Sequence, residues 1–262
     1  MNTLIIKRWF FSIILASFAS LCGAQIHHAS PLSGKTLTEN FITQNMHYPE
    51  QELQEGKNGK VVITLTVDEK GEASGFRVEE SFCEKADSDA LDLVKKIRWQ
   101  PATKDMKPVT DSIKYEVEYN ARSYRRYWKK RERIIVPLDL EADSSYRIYE
   151  MHALEEAARP YFADGSTMAR YIQTNLKYPE SAKATEVSGT VRLSFVVETD
   201  GAVSNIVINQ SVGAGCDNEA IRLLQQTNWI PAIKNGKYVR SHNLQDITFN
   251  IGARNYYDGN GY

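Results

Sequence analysis

Hydrophobic and polar residues alternate in two long stretches of the chain, which predicts two half-buried β-strands. The alternating apolar positions are Val61, Ile63, Leu65 and Val67 in one stretch and Val191, Leu193, Phe195 and Val197 in the other. A glycine follows each stretch, Gly71 and Gly201, as expected for a tight hairpin turn. The returning strands carry Phe76 with Val78, and Ile206 with Ile208. Because Val203 is out of phase with the last pair, a β-bulge is predicted there.

Helical spacing predicts one helix before each hairpin and one after it. The leading helices carry Leu37, Phe41, Ile42 and Met46, or Met168, Tyr171, Ile172 and Leu176, and are expected to stop at Pro49 and Pro179. The following helices carry Ala86, Ala90, Leu91, Val94 and Ile97, or Cys216, Ala220, Ile221 and Leu224. Asp87 and Asp217 are predicted to cap them, and Asp89 and Glu219 to lie at the positive end of the helix dipole. A last alternating strand covers residues 113–119 and, in the second half, 244–251.

These elements recur because the sequence repeats itself with an offset of 130 residues. Residues 41–109 align with residues 171–239 without a gap, and about 20 of the 69 positions are identical. The identical positions include structurally demanding residues, such as Trp99 with Trp229 and Pro101 with Pro231. Each unit is long enough for its own core. The sequence therefore predicts an α+β protein of two tandem domains, each a three-stranded antiparallel sheet with helices on one face.

The N-terminus indicates export. Lys7 and Arg8 precede an apolar run from residue 9 to 24, and Cys22-Gly23-Ala24 is a suitable cleavage site. Residues 1–24 are therefore predicted to be a signal peptide, and the protein is expected in the periplasm. An uncleaved membrane anchor is the alternative, although the run is shorter than the ~20 residues that span a bilayer comfortably.

Composition narrows the function. The 262 residues carry 32 basic and 33 acidic side chains, so no overall field favours nucleic acid. Three cysteines without ligand spacing indicate neither a zinc site nor a disulfide scaffold. Cys216 falls on a buried helical stripe and is interpreted as a core residue, and a designed pair with Cys83 is not expected. The five histidines are scattered and no nucleophile or carboxylate accompanies them at informative spacing. No enzyme activity, metal or cofactor is predicted.

One spaced pattern is specific. Both halves contain Asn-x-x-Tyr-Pro-Glu, then Gly-x-Val, an alternating strand, a Gly turn, Ser, a helix and Trp-x-Pro-Ala. This pattern resembles the C-terminal domain of the TonB family, twice over, across residues 37–120 and 166–252. The second copy also has the Gly-Cys-Asp-x-Glu-Ala segment that is common in Bacteroidetes-type members. The family's Gly-Lys-Pro-Val is altered in both copies, since Met106 replaces the glycine in one and Tyr238 the proline in the other.

The resemblance implies a periplasmic binding module for the TonB box of an outer-membrane receptor, or for another envelope protein. In the family, the extended peptide is added to the sheet beside the last strand, and an open sheet edge offers the unpaired N–H and C=O groups that this requires. Carried over to this sequence, the candidate peptide-binding residues lie in the last strands and before each Tyr-Pro: Asn45, His47, Tyr48, Pro49, Ile113, Tyr115, Val117, Asn175, Lys177, Tyr178, Pro179, Ile247 and Phe249. Packing is an equally good interpretation of the two tyrosines, and the better one for Trp99 and Trp229.

Two alternative functions remain open at this point. An energy transducer with an uncleaved N-terminal helix would need a long spacer, but only 12 residues separate Gln25 from the first predicted helix. An envelope scaffold is the other alternative, in which the sheet edges pair within the chain or in a homodimer.

The segment between the copies has segregated charge. The run from Arg122 to Arg133 holds seven basic residues and one acidic residue, interleaved with Tyr124, Tyr127 and Trp128. A solvated linker is the first interpretation, and contact with a membrane surface is the functional one. Residues 139–164 hold seven acids and are expected to fold back on the basic run, with a short helix at 151–159. Residues 121–165 are thus predicted to be a charged linker, and residues 253–262 a flexible tail.

Overall fold

The protein contains two copies of one α+β unit. The structure, a computed structural model, describes residues 26–129 and 136–252, so the predicted signal peptide, the end of the basic run and the tail lie outside the described residues. The first copy and the helix after it comprise β1 (Ile26–His27), β2 (Ser30–Pro31), α1 (Gly34–Asn45), α2 (Glu50–Glu55), β3 (Gly59–Val67), β4 (Ala73–Glu80), α3 (Glu84–Lys95), β5 (Trp99–Gln100), β6 (Ala102–Lys104), β7 (Lys107–Val109), β8 (Asp111–Tyr119) and α4 (Ala121–Lys129).

The second copy repeats this order after a short connecting segment. Its elements are β9 (Ile148–Tyr149), a 3-10 turn (Met151–Ala153), β10 (Arg159–Tyr161), α5 (Met168–Asn175), α6 (Glu180–Ala184), β11 (Gly189–Val197), β12 (Val203–Gln210), α7 (Cys216–Gln226), β13 (Asn228–Ile230), β14 (Ala232–Lys234) and β15 (Lys237–Phe249).

The predicted fold class is confirmed. The antiparallel sheets have the order β4-β3-β8 and β12-β11-β15, with matching register, since Gly59 pairs with Tyr119 and Gly189 with Phe249. Inward side chains of β3 and β11 are fully buried, as alternation predicts. In addition, β14 and β9 extend the second sheet along β15.

The predicted bulge is confirmed in the second hairpin and is present in the first as well. The register shifts between Ser194 and Val196, and between Thr64 and Thr66. The extra residue of each bulge is on β4 or β12, and the bulge positions Gly75 and Asn205 both have positive φ, at 66° and 51°. Asparagine tolerates this left-handed conformation better than most residues, so the backbone geometry is retained where the second copy lacks the glycine.

The hairpin turns closely approach the tryptophan that occurs in both copies of the repeat, Trp99 or Trp229. Gly71 has a φ of 84°, and a Cβ atom there would lie 2.5 Å from the carbonyl oxygen of Trp99. Gly201 has the same conformation against Trp229. The repeated glycine is therefore required both by φ and by the lack of space.

We expect Gly71→Ala to lower the free energy of unfolding by about 3 kcal/mol, because left-handed strain adds to a backbone clash. Gly236→Ala is the matched control, since its φ is also positive and no atom lies within 4 Å of the added Cβ. The control should lose about 1 kcal/mol in chemical denaturation. Equal losses in both variants would show that the contact with Trp99 does not matter.

The helix boundaries correct two predictions. Pro49 and Pro179 do not stop the leading helices, which end at Asn45 and Asn175; each proline instead begins a short second helix, where a missing N–H is harmless. Asp87 is not the N-cap of α3, because that helix already begins after Cys83.

The Asp87 carboxylate accepts from Ser81 Oγ at 2.5 Å and from Phe82 N at 3.1 Å, so it fixes the loop before the helix. Asp217 is likewise not an N-cap and holds the matching loop through Ser211 and Val212.

Extended segments ahead of each copy pair with its tryptophan strand. Strand β2 pairs with β5, and β10 pairs with β13, so that Pro31 lies opposite Trp99 and Pro160 opposite Trp229. The helix predicted at 151–159 is wrong: a 3-10 turn occupies Met151–Ala153, and residues from Arg159 are in a strand. The helical pattern at residues 151–159 is weak, and the end of this segment pairs with β13 instead.

The acidic part of the linker contacts the second domain, in contrast to its predicted return to the basic run. Tyr238 N donates to Glu141 O and Asp143 N donates to Tyr238 O, both at 2.8 Å. Tyr238 Oη also donates to Asp139 Oδ1 at 2.8 Å. Strand β9 then pairs in parallel with Arg240 and Ser241. At the start of β15, the side of the strand that faces away from β14 gives this segment main-chain partners, which exposed charges do not.

The two domains meet through a buried polar cluster. Arg240 forms a two-pronged ion pair with Glu198 at 2.7 and 2.8 Å, and both residues are nearly inaccessible to solvent. Arg240 Nη2 also donates to Lys96 O at 2.8 Å, and Asn205 Nδ2 donates to the same oxygen at 2.9 Å. The second domain thus caps one carbonyl group at the end of α3 in the first domain, that of the C-cap residue Lys96.

The two cysteines among the described residues are free and differ in environment. Cys216 is buried at the start of α7, which confirms its interpretation as a core residue, and burial raises the pKa of its thiol. Cys83 is partly exposed in the loop before α3.

Candidate functional site

The last long strand of each domain, β8 or β15, has an outer edge that faces away from the central strand, β3 or β11. The predicted residues Ile113, Tyr115 and Val117 point to the inner face of β8, and Ile247 and Phe249 are fully buried on β15. Val117, Ile247 and Phe249 are buried and not available to a partner, whereas Ile113 and Tyr115 are only partly buried. These strands can therefore contribute to peptide binding mainly through main-chain groups at the edge.

The hydrogen bonds of Tyr238 show which N–H and C=O groups of β15 point to its outer side. Both its N–H and its C=O bond to the linker, on the side of β15 away from β11. Successive peptide groups of a strand point to alternate sides. Residues 242, 244, 246 and 248 therefore turn their N–H and C=O groups outward, and the repeat register assigns the same direction to residues 112, 114, 116 and 118.

The edge is differently covered in the two domains. On β15 the linker occupies the positions from Tyr238 to Ser241, and His242 Nδ1 lies 3.2 Å from Glu150 Oε2. On β8, within the described ranges, no strand pairs with the outer side from Asp111 to Tyr119. The first domain thus has the more open edge.

A groove of about 480 Å³ lies beside the open edge of β8. Four consecutive residues, 112–115, line it, and since side chains alternate between faces the groove must lie against the strand edge. Residues 28–31 form the opposite wall and Trp99 the base. Trp99 and Tyr115 meet edge to face with ring centroids 5.5 Å apart. Burial raises the pKa of Tyr115 to about 12, so the phenol is neutral.

The wall at residues 28–31 was not predicted from the sequence. Ala29 N donates to Asp111 Oδ2 at 3.1 Å, which anchors this segment beside the start of β8. The repeat at an offset of 130 residues does not reveal it, because the two segments are one residue out of that register: Pro31 pairs with Trp99 and Pro160 pairs with Trp229. Trp99 Nε1 is buried and has no hydrogen-bond partner in the described part of the chain.

The first Tyr-Pro segment lies at the far end of the last strand. Tyr48 is buried, donates through its hydroxyl to Lys57 O and packs edge to face against Tyr119 at 5.5 Å. Pro49 is also buried. Asn45 Nδ2 donates to Phe41 O at 2.7 Å, within the end of α1.

The second Tyr-Pro segment has the same contacts. Tyr178 donates to Val187 O at 2.5 Å and packs against Phe249, with centroids 5.7 Å apart. Asn175 Nδ2 donates to Tyr171 O at 2.9 Å, and Pro179 is half-buried. These contacts give both Tyr-Pro segments a packing role.

A carboxylate from the long helix holds each segment. His47 N donates to Asp89 Oδ2 at 3.0 Å, and Lys177 N donates to Glu219 Oε1 at 2.6 Å. Burial opposes ionisation of Glu219, but its bonds to Arg222 and Lys177 leave its pKa below the usual range. The residues predicted to favour the helix dipole therefore position the segment before each Tyr-Pro.

The described part of the basic run, up to Lys129, lies in helix α4, whose aromatic side faces the first domain. Tyr124 lies 5.2 Å from Tyr48, ring to ring, and Trp128 packs on Tyr124 at 6.0 Å. The Arg125 guanidinium donates to Leu53 O. Arg122, Arg126 and Lys129 are exposed. Contact with a membrane surface stays a prediction, and in this arrangement cations rather than aromatic rings would face the lipid.

Two features are not found in the described residues, 26–129 and 136–252. Within them, no three His, Cys, Asp or Glu side chains are arranged to hold a metal ion. Within the same ranges, no helix is both long enough and apolar enough to span a bilayer.

A duplicated α+β module with an open strand edge is the class that the fold and the site define. The family described as the Gram-negative bacterial TonB protein C-terminal matches residues 44–121 and 174–251. The chain therefore belongs to the TonB C-terminal domain family, in two tandem copies. This family is not one of enzymes, and it implies a TonB-like role in transport at the cell envelope.

Solved structures similar to parts of the chain include two TonB C-terminal domains. The Helicobacter pylori domain is 18% identical, with 32% of this chain and 88% of that domain covered and a TM-score of 0.25. The Pseudomonas aeruginosa domain is 19% identical, with 39% and 94% covered and a TM-score of 0.26. No curated protein matches.

Proposed function

We propose that this protein is an exported, periplasmic TonB-like module that captures an extended peptide from an outer-membrane transporter by adding it as a strand to the outer edge of β8. The observation that carries the proposal is the open edge with a groove beside it, lined by Trp99, Ile113 and Tyr115. Main-chain hydrogen bonds along β8 provide affinity, and the groove accepts side chains from one face of the added strand.

The first domain is the proposed capture domain. In the second domain, the linker already occupies the beginning of the corresponding edge through Tyr238, and Glu150 lies against His242. The second domain then has a supporting role, since it caps α3 of the first domain through Arg240 and Asn205. The site residues before each Tyr-Pro, Asn45 to Pro49 and Asn175 to Pro179, position the ends of the last strands in this proposal.

An envelope scaffold is the second candidate, favoured by one observation. The linker pairs with β15 inside the same chain, so a sheet edge of this protein does accept an internal strand. A homodimer would use the free edge of β8 in the same way. The two candidates differ in what occupies β8 in the cell.

Photocrosslinking in cells distinguishes them. A photoreactive amino acid at position 114, on the outer edge of β8, should form an adduct with an outer-membrane transporter. The control is position 77, which is equally exposed but lies on β4 at the opposite edge of the same sheet. Adducts that contain only a second copy of this chain would contradict peptide capture and support the scaffold.

A further inference from the structure

The repeat builds the same surface groove twice. In each copy the groove lies between the hairpin turn, the end of the long helix and the segment before the tryptophan strand. The first groove, lined by Lys70, Lys95 and Arg98, has a volume of about 630 Å³. The second, lined by Asp200, Gln225 and Asn228 at the matching positions, has a volume of about 330 Å³.

The chemistry of the two grooves differs although the fold is the same. Three cationic positions of the first groove are replaced by one acid and two amides in the second. The fold therefore does not require positive charge at these positions. A cationic groove that the scaffold does not need calls for a functional explanation.

The linker adds another cation to the first groove. Arg147 lines it and lies 5.0 Å from the ring of Tyr149, while Lys95 lies 5.4 Å from the ring of Tyr146. These cation–π contacts orient the two side chains but leave their charge uncompensated.

Ion pairs neutralise some groups in the first groove but not these four cations. Lys96 pairs with Asp92 at 2.8 Å, and Arg240 pairs with Glu198. Among the described residues, no carboxylate lies within 4.0 Å of Lys70, Lys95, Arg98 or Arg147. Two acids line the groove, Glu72 and Glu150, and Glu150 already faces His242. The groove thus carries an excess of positive charge.

We propose that this groove, defined by Lys70, Lys95, Arg98 and Arg147, binds a small anion with two or more phosphate or carboxylate groups. Its volume is in the range of small-molecule sites rather than of a macromolecular interface. Arginine and lysine are the side chains suited to phosphate and carboxylate groups. Because three of its walls come from the hairpin, α3 and the linker, the ligand would also link the first domain to the segment that leads into the second.

Calorimetry on the mature chain tests the site. Tripolyphosphate and citrate are titrated at a fixed ionic strength of about 0.15 M, where surface charges beyond about 8 Å are screened. The test variant is K70N/K95Q/R98N, which introduces residues of the second groove at two of the three positions. The control variant, R77N/K85Q/K104Q, removes the same charge from exposed positions elsewhere in the first domain.

We expect Kd for tripolyphosphate to rise at least tenfold in the test variant and less than about twofold in the control, with thermal unfolding unchanged in both. Absence of saturable binding to the wild-type chain, or equal weakening in both variants, would overturn the proposal. Vesicles containing phosphatidic acid identify the source: binding that tripolyphosphate displaces indicates a lipid headgroup, and binding of the soluble anions alone indicates a free ligand.

Discussion

Replacing Glu198 by alanine should lower the free energy of unfolding by about 3–5 kcal/mol, because the change leaves the Arg240 guanidinium buried without its counter-ion. Glu198 is 0% and Arg240 4% exposed, and the ion pair has two hydrogen bonds of 2.7 and 2.8 Å. Ser204 also donates to Glu198, so the substitution disrupts the polar cluster on both sides. Chemical denaturation measures the loss.

The matched control is Asp68→Ala, at the same position of the first repeat. The Asp68 carboxylate accepts from the turn amides of Lys70 and Glu72, at 2.8 and 2.9 Å, in an exposed loop. Its loss should cost about 1 kcal/mol. In a double-mutant cycle, Glu198→Ala and Arg240→Ala should be coupled by at least about 1.5 kcal/mol. A loss for Glu198→Ala no larger than for Asp68→Ala would contradict the assigned role of the ion pair.

The fold could be predicted because the features that occur in both copies of the repeat are local ones. Alternation at Val61–Val67 and its copy identified the central strands, and Gly71 with Gly201 identified the turns. Each of these features depends on backbone geometry or on the inner face of one sheet. Both kinds of constraint act within a single copy, so they appear at the same position in both.

The junction was not predictable, because it depends on positions where the copies differ. Glu198, Asn205 and Arg240 correspond to Asp68, Gly75 and Thr110 in the first repeat. An acidic residue directly after an alternating strand gives the same sequence pattern in an exposed turn, as for Asp68, and in a buried ion pair, as for Glu198. Only the packing of one domain on the other distinguishes the two cases.

The candidate site was predicted in part. Alternation identified the inward side of β8, and the resemblance implied that its edge is the binding surface, which stays a prediction. The sequence did not predict that the linker covers the beginning of the edge of β15. Acidic residues such as Glu141 and Asp143 are typical of a solvated segment, but this segment bonds to Tyr238. Main-chain pairing of this kind has little side-chain signature.

Lys114→Pro should weaken binding of a TonB-box peptide at least tenfold. The N–H of residue 114 points to the outer side of β8, where a strand would be added, and proline removes this donor and places its ring there. On the outer side of an edge strand, proline removes no bond to β3, so the sheet is retained. The lost main-chain bonds and the steric block together correspond to more than about 1.4 kcal/mol.

Two controls separate strand addition from side-chain effects. Lys114→Ala removes the ion pair with Glu79 but keeps the N–H, and should bind within about twofold of the wild type. Leu244→Pro makes the same backbone change at the matching position of β15, where Leu244 is 60% exposed. It should also bind within about twofold if the first domain is the capture domain. Loss of binding in Leu244→Pro alone would move the site to the second domain.

The decisive measurement is therefore the titration of Lys114→Pro and Lys114→Ala, side by side, with a synthetic peptide that carries the TonB box of an outer-membrane receptor from the same envelope. Strand addition to β8 predicts that the proline variant loses at least tenfold in affinity while the alanine variant does not, at equal thermal stability. Equal affinities for the two variants and the wild type would contradict capture at this edge.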